Sequence, residues 1–313
     1  MSEKVPTIFV HVHYPGVWAE MAREIAQAFD RPFGLVLTCR DDPIALAEVD
    51  SPHLRFVERI QTENRGRDVL PFLIALRRLG ERFDIGLKLH TKRSTHREDG
   101  EDWRRYLTAS LLRRDPNGLV VADAMNAFPR LGLVAPHAHF LPLQGRIALN
   151  AGVTRRALRA LDIDLRTADL ERRHFAAGSM FWFRREALAD FAGSQLDTLF
   201  PAEKGQLDGT AAHAAERLFA ALAERRGFVA AGEEAIGPLA QALADGIEDP
   251  GRLQPVADRE AERTPNPFIL PLPLFWRRHP YLLMAAHHIY VRTPSPIWAA
   301  ARRVFKRFTQ DPG

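Results

Sequence analysis

The sequence predicts an α/β fold built on a mostly parallel central sheet, and three observations carry that expectation. Short apolar runs with strand character alternate with segments of helical periodicity through the first half of the chain. The 313 residues are 46% hydrophobic and 26% charged, a globular balance that excludes a disordered chain. No internal repeat, low-complexity run or collagen period interrupts them.

Each element follows in order. TIFVHVH (Thr7 to His13) alternates as a strand does, and Trp18, Met21, Ala22, Ile25 and Phe29 then fall on one helix face. FGLVLTC (Phe33 to Cys39) and HLRFVERI (His53 to Ile60) read as two further strands. A helix is expected after Asp68, with Pro71 in its first turn and Gly80 as its stop. FDIGLKLH (Phe83 to His90) is the fourth strand. Trp103, Leu107 and Leu111 mark an amphipathic helix that Asp99 could cap; Asn117 could cap another, and LGLVAP (Leu131 to Pro136) is a fifth strand. Beyond a loop-rich stretch from 137 to 150, a short helix is expected near Val153 to Leu161. The apolar segment AGSMFWFR (Ala177 to Arg184) follows, with Trp182 and Phe183 read as core, and a long helix runs from Asp208 to Arg226. The main domain is placed at residues 1–250. After Asp249-Pro250-Gly251 the character changes, and PNPFILPLPLFW (Pro265 to Trp276) carries four prolines, too many for a regular helix or central strand. Residues 251–313 are therefore read as a C-terminal appendage.

Several function classes are excluded by composition. The single cysteine, Cys39, permits no internal disulfide and no multi-cysteine zinc site. The opening residues lack the pattern of a signal peptide and no stretch has the uncharged length of a spanning helix, so a soluble, cytoplasmic protein is expected. The charge is asymmetric: residues 264–313 hold seven Lys and Arg against Asp311 alone, whereas the whole chain is only +4. The body is thus slightly acidic, which argues against a nucleic-acid partner. The basic tail, with YLLMAAHHIYV (Tyr281 to Val291) and WAAARRVFKRF (Trp298 to Phe308), could lie on an anionic membrane or pack on the domain with a solvated basic face.

Unusual polar residues gather at the carboxyl ends of the predicted strands, where open α/β sheets bind ligands. In ENRGRDVLPF, Gly66 allows a tight turn, Arg65 and Arg67 offer forked donors to phosphate or carboxylate, and Asp68 could cap the next helix or accept from a sugar hydroxyl; a capped turn with a surface Arg–Asp pair is the plainer reading. In KLHTKRSTHRE, Lys88, His90 and Lys92 share one face if the strand persists that far; a lysine in an apolar strand end is costly unless paired, which an anion such as a diphosphate would satisfy, and a solvated basic loop is the plainer reading. His11 and His13 form an HxH at the first strand end, repeated by His137 and His139. Such pairs could ligate a metal or serve as hydrogen-bonded polar contacts. In QLDGTAAHAAERLF, Asp208 is placed to cap the long helix and also to act as a general base, while His213, Glu216 and Arg217 fall off the buried stripe, on a solvated face. Gly178 and Ser179 could let a ligand approach the backbone.

Taken together, VHVHYPGVW, NRGRDVLPFL, FDIGLKLHTKRSTHREDGEDWRRYL, HFAAGSMFWFR and QLDGTAAHAAERLF resemble, in that order and over Val10 to Phe219, the rhamnan synthesis protein F family. The resemblance implies a glycosyltransferase of cell-surface polysaccharide assembly, with a GT-A-like three-layer fold and a dTDP- or UDP-sugar donor such as dTDP-rhamnose. A glycan or lipid-linked acceptor goes with it, for which a basic tail lying on the inner face of the plasma membrane would be useful. It assigns Asn64, Arg65, Gly66, Arg67 and Asp68 to the donor, together with Lys88, His90, Thr91, Lys92 and Ser94. No Asp-x-Asp stands at that strand end, where many such enzymes bind a divalent metal. Lys88, Lys92 and neighbouring arginines are therefore expected to steady the leaving diphosphate in place of the ion, with Asp208 as the base. His11, His13, Gly178, His213 and Glu216 complete the expected cleft. A metal-dependent hydrolase built on the HxH pairs, and a non-catalytic nucleotide-sugar or glycan-binding subunit, are the alternatives.

Overall fold

The computed structural model describes residues 4–91, 99–203 and 209–268, with four isolated positions (279, 281, 282 and 285) beyond them. Strand β1 (Thr7–Val12) leads into α1 (Pro15–Ala28), whose proline at the first helical position carries no amide hydrogen to be left unsatisfied. Val17, Trp18, Met21, Ala22 and Ile25 are buried on one face of that helix. Strand β2 (Phe33–Cys39), β3 (Leu54–Gln61), α2 (Val69–Leu79) and β4 (Ile85–His90) follow, and Gly80 ends α2 in a left-handed conformation at φ 56°. Then come α3 (Gly100–Leu111), a small hairpin of β5 (Arg114–Asp115) and β6 (Gly118–Leu119), α4 (Val120–Ala127) and β7 (Leu131–Ala135). Asn117 lies in that hairpin, its amide donating to Asp115, and does not cap α4, whose cap position is taken by Leu119.

The second half holds β8 (Phe140–Pro142), α5 (Ala151–Ala160), α6 (Thr167–Leu170), β9 (His174–Ala176) and β10 (Phe181–Arg184). The long helix α7 (Ala211–Arg225), β11 (Val229–Gly232), α8 (Ile236–Ala244) and α9 (Pro250–Arg263) complete it. Seven strands form one sheet in the order β11-β7-β10-β4-β1-β2-β3, with β10 antiparallel to both neighbours and every other pairing parallel. The expected mostly parallel sheet is present, and β8 and β9 pair beside it.

Side chains alternate across this sheet, so each face has its own core. Phe9 packs with Phe72, Phe83 and Phe183 on the α2, α5 and α7 face, with ring centroids 5.0 to 5.7 Å apart. Ile8, Val10, Trp18 and Trp182 lie on the opposite face beneath α1, α3, α4 and α8. Central strands β1, β2 and β4 are buried almost throughout, whereas β3, an edge strand, exposes alternate residues. The helix that opens the expected appendage is part of this core. In α9, Leu253, Ala257 and Ala261 are buried and the helix packs along β11. Beyond it, Asn266 donates to the carbonyl of Ala138 at 2.7 Å, and the Phe268 ring lies 5.3 Å from that of Tyr106. The rest of the proline-rich, basic segment lies outside the described residues, and no described helix is long and apolar enough to cross a membrane.

Candidate functional site

The carboxyl ends of β1 and β4 meet at the centre of the sheet, where the strand order changes direction: β1 leads to β2 and β3 on one side, β4 faces β10 and β7 on the other. His11 and His90 stand opposite each other across this pair. Two sharp turns face the same edge. The first, between β3 and α2, places Gly66 and Arg67 at φ 64° and 56°; the second, between β9 and β10, places Gly178 and Ser179 at 91° and 58°. Each couples a glycine to a residue that carries a side chain in a left-handed conformation, a strain that persists only where surrounding contacts hold it.

Lys88 supplies those contacts. It is 1% exposed, and its ammonium donates to Asp68 Oδ2 at 2.5 Å, to Ser179 O at 2.6 Å and to Ser179 Oγ at 2.9 Å. Three donors thus meet three acceptors, one from the first turn and two from the second. The expected role of Lys88 as a partner for a diphosphate is corrected accordingly: its counterion is Asp68. Asp68 in turn occupies the position before α2 without capping it, because its carboxylate is turned to the lysine. Arg65 is also corrected. Its guanidinium donates to Phe200 O at 3.0 and 3.2 Å and to Asp197 O at 3.0 Å, which pins the turn to the 197–203 segment. Asn64 is exposed, and Gly66 has no room for a Cβ, which would fall 2.6 Å from Leu70 and Phe200. Arg67 lines the cleft, with its Nε 3.6 Å from Glu203 Oε2.

The second turn is held from both sides. His90 Nε2 bonds to the carbonyl of Gly178 at 2.8 Å, and the amide of Gly178 donates to Glu216 Oε1 at 2.9 Å. Any Cβ on Gly178 would approach Leu107 to 2.9 Å and the Trp103 ring to 3.3 Å. The wheel of the long helix places His213, Glu216 and Arg217 in solvent; tertiary packing overrides it. His213 and Arg217 are buried, Arg217 donating to Arg146 O at 3.0 Å. The helix begins at Ala211 rather than after Asp208, and its cap is Thr210, whose hydroxyl and amide both engage His213 Nδ1. Asp208, Lys92 and Ser94 lie outside the described residues.

The histidine pairs diverge. His11 Nδ1 bonds to Thr38 Oγ1 at 3.0 Å. Burial lowers its pKa to about 4 against the opposing pull of Asp68, with His90, His13 and Lys88 adding to the depression, so the imidazole is neutral at pH 7. His13 lies past the strand end, exposed, its ring 4.6 Å from that of Tyr14. Thr91, fully buried, accepts the amides of His13 and Tyr14 at 2.9 Å and so serves the start of α1 rather than a ligand. His139 is 1% exposed, with Nε2 accepting from Trp103 Nε1 at 2.7 Å and Nδ1 bonded to the carbonyl of His137 at 2.8 Å. Neither HxH gathers ligands: among the described residues no three His, Cys, Asp or Glu side chains are grouped to hold a metal ion. The donor set at the β4 end does not fit a divalent cation either, because Asp68 is already paired with an ammonium.

Arg67, Asp68, His90, Trp103, Gly178, His213 and Glu216 line one open cleft of about 400 Å³ over these turns. It combines a guanidinium, two carboxylates, two imidazoles and an indole, a set suited to a polar, hydroxyl-rich ligand with an anionic group. The periodicity marks Trp103 only as a helix-stripe residue; its place in the first turn of α3, the helix that follows β4, is the signal for a position at the cleft.

The rhamnan synthesis protein F family matches residues 1–228, and the chain belongs to it. Two proteins named WxcX and described as uncharacterized, from two strains of Xanthomonas campestris pv. campestris, are 45% identical over 161 residues. The match covers 50% of this chain and 22% of theirs, so the chain spans about a fifth of those relatives.

Proposed function

We propose, from the family's place in polysaccharide synthesis, that this chain is a glycosyltransferase which moves a sugar from a dTDP- or UDP-sugar to a glycan or lipid-linked acceptor, with rhamnose as the transferred sugar. The carrying observation is the pair of strained turns, Gly66–Arg67 and Gly178–Ser179, fastened together by buried Lys88 at the carboxyl edge of β1 and β4. Backbone held in such conformations at a cleft floor is characteristic of a preorganised site. The single reversed strand beside β4 supports the GT-A-like reading.

In this reading the donor lies over β1 and β4. The acceptor oxygen attacks the anomeric carbon, the bond from that carbon to the diphosphate breaks, and the nucleoside diphosphate leaves with the electron pair. Arg67, on the cleft wall, receives the developing charge with a fork suited to phosphate oxygens. Neutral His11 keeps repulsion low beside Lys88 and leaves the binding of the anion to Arg67. Lys92 and the arginines next to it remain proposed contributors, and the basic tail would hold the enzyme at an anionic membrane on its cytoplasmic face.

The test is thermal shift of the purified chain against nucleotides and nucleotide sugars, with EDTA or manganese added in parallel. A true donor at a hundred times its Kd stabilises by about 2.7 kcal/mol, a rise of several degrees. The expected result is a rise selective for dTDP- or UDP-sugars, indifferent to metal and abolished in Arg67→Ala. Silence across every nucleotide overturns the transferase reading.

A further inference from the structure

Two carboxylates line the cleft, and their surroundings separate their roles. Asp68 faces the buried Lys88 ammonium at 2.5 Å, a charge pair that fixes both turns. Glu216 sits on the first turns of α7 and accepts the Gly178 amide hydrogen at 2.9 Å. The Gly178 that engages Glu216 also packs against Trp103: a Cβ there would lie 3.3 Å from the indole and 2.9 Å from Leu107. The indole is fixed as well, because its Nε1–H donates to His139 Nε2 at 2.7 Å. A half-buried, immobilised indole and a hydrogen-bonded carboxylate thus meet at one glycine on the wall of one cleft.

That combination is the chemistry of carbohydrate recognition. A pyranose presents a face of C–H groups that packs on an aromatic ring, and hydroxyls around its rim that seek charged acceptors. We infer that Trp103 and Glu216 form the acceptor subsite: Trp103 carries the terminal sugar ring of the acceptor glycan, and Glu216 takes the hydrogen of its attacking hydroxyl. This rests on the transferase reading for its chemistry and deepens it. As the acceptor oxygen forms its bond to the anomeric carbon, its proton passes to Glu216 while the diphosphate departs with the electrons of the bond that breaks. Glu216 replaces Asp208 as the base in this assignment. It also explains why Gly178 is bonded on both peptide sides, since a shift of the turn would move the indole and the carboxylate together.

The experiment titrates rhamnose di- and trisaccharides into the full chain and follows indole N–H signals by NMR, with Trp103→Phe identifying the Trp103 resonance by its loss. The expected result is a saturable shift of that resonance. Saccharide affinity should fall by less than about threefold in Trp103→Phe and by tenfold or more in Trp103→Leu, as loss of one stacked ring implies. Glu216→Gln should bind saccharide only a few-fold more weakly, yet lose about 10²–10⁴-fold in turnover and the acidic limb of its pH–rate profile. If no saccharide binds, or saccharide binds without moving the Trp103 signal, the subsite is wrong. Full turnover in Glu216→Gln overturns the base. A Trp103 response to saccharide alongside silence toward every nucleotide would sink the transferase reading while leaving the glycan subsite in place.

Discussion

Helix α7 joins two ionic clusters of similar composition, and they are satisfied to different degrees. Near its amino end, Lys88 meets Asp68 and Ser179 with every ammonium proton placed, His213 closes the cap with Thr210, and Glu216 holds the Gly178 amide. At its carboxyl end, Glu224 pairs with Arg173 at 2.5 Å while His174 Nδ1 stands 3.2 Å from Asp258 Oδ1. There the fit is looser. His174 Nε2 is buried without a hydrogen-bond partner, and burial raises the Glu224 carboxyl to about pKa 7, Arg173 opposing and Asp258 adding to the rise. Complete pairing is found where two strained turns must be kept in place, and incomplete pairing where the cluster only helps α9 to pack. A buried charge is tolerated in either setting, but only the first arrangement fixes backbone geometry.

The sharpest way to break this contrast is Lys88→Met. It leaves Asp68 and the Ser179 carbonyl buried without their cation, and should cost about 3–5 kcal/mol in urea unfolding. A loss below about 1 kcal/mol would show that the turns hold themselves.

The far cluster makes a pH-dependent prediction. Glu224 keeps its proton in the folded chain up to about pH 7, whereas in the unfolded chain it ionises near the ordinary glutamate value of 4.5. Its contribution is therefore whole below pH 4.5 and is lost as pH rises through about 7, a difference on the order of 3 kcal/mol. His11 has the opposite sign: its lowered pKa adds stability above its unfolded value of 6.5 and loses it as pH falls through about 4. Calorimetry of Glu224→Gln between pH 4.5 and 8 should show the decline toward high pH removed and the His11 rise retained. An unchanged profile would place the titration elsewhere.

The smallest effect sharpens the cleft end. Thr210→Ala removes the hydroxyl that engages His213, and should cost about 1 kcal/mol by chemical denaturation. It should also reduce any saccharide affinity, because Glu216 lies on the next turn of the same helix. An equal loss of stability with no change in binding would make the cap purely structural.

Much of the fold was legible because it depends on local pattern. The predicted strands at 7–13, 33–39 and 83–90 and the stop at Gly80 match elements whose alternation or backbone freedom needs no distant partner. The candidate cleft was legible in part: Arg67, Asp68 and His90, named at two strand ends, line it, whereas His11, His13, His137 and His139 do not. Roles were harder to read. Asp68 looks like a helix cap until Lys88, twenty residues on, is folded beside it, and Glu216 and His213 look solvated until the 178–179 turn is laid across α7. Trp103 passed as a core stripe because nothing nearby in the chain announces its contact with His139, thirty-six residues away.

By itself, then, the sequence determined the alternation of strands and helices, the sheet's two apolar faces and the family, since each is encoded in periodicity or in ordered motifs. The tertiary structure alone decided which of several like residues came to line the cleft. Hydrogen-bond partners are set by contacts between residues distant in the chain: the Lys88 ammonium turns the Asp68 carboxylate from the cap of α2, and the Gly178 amide engages Glu216.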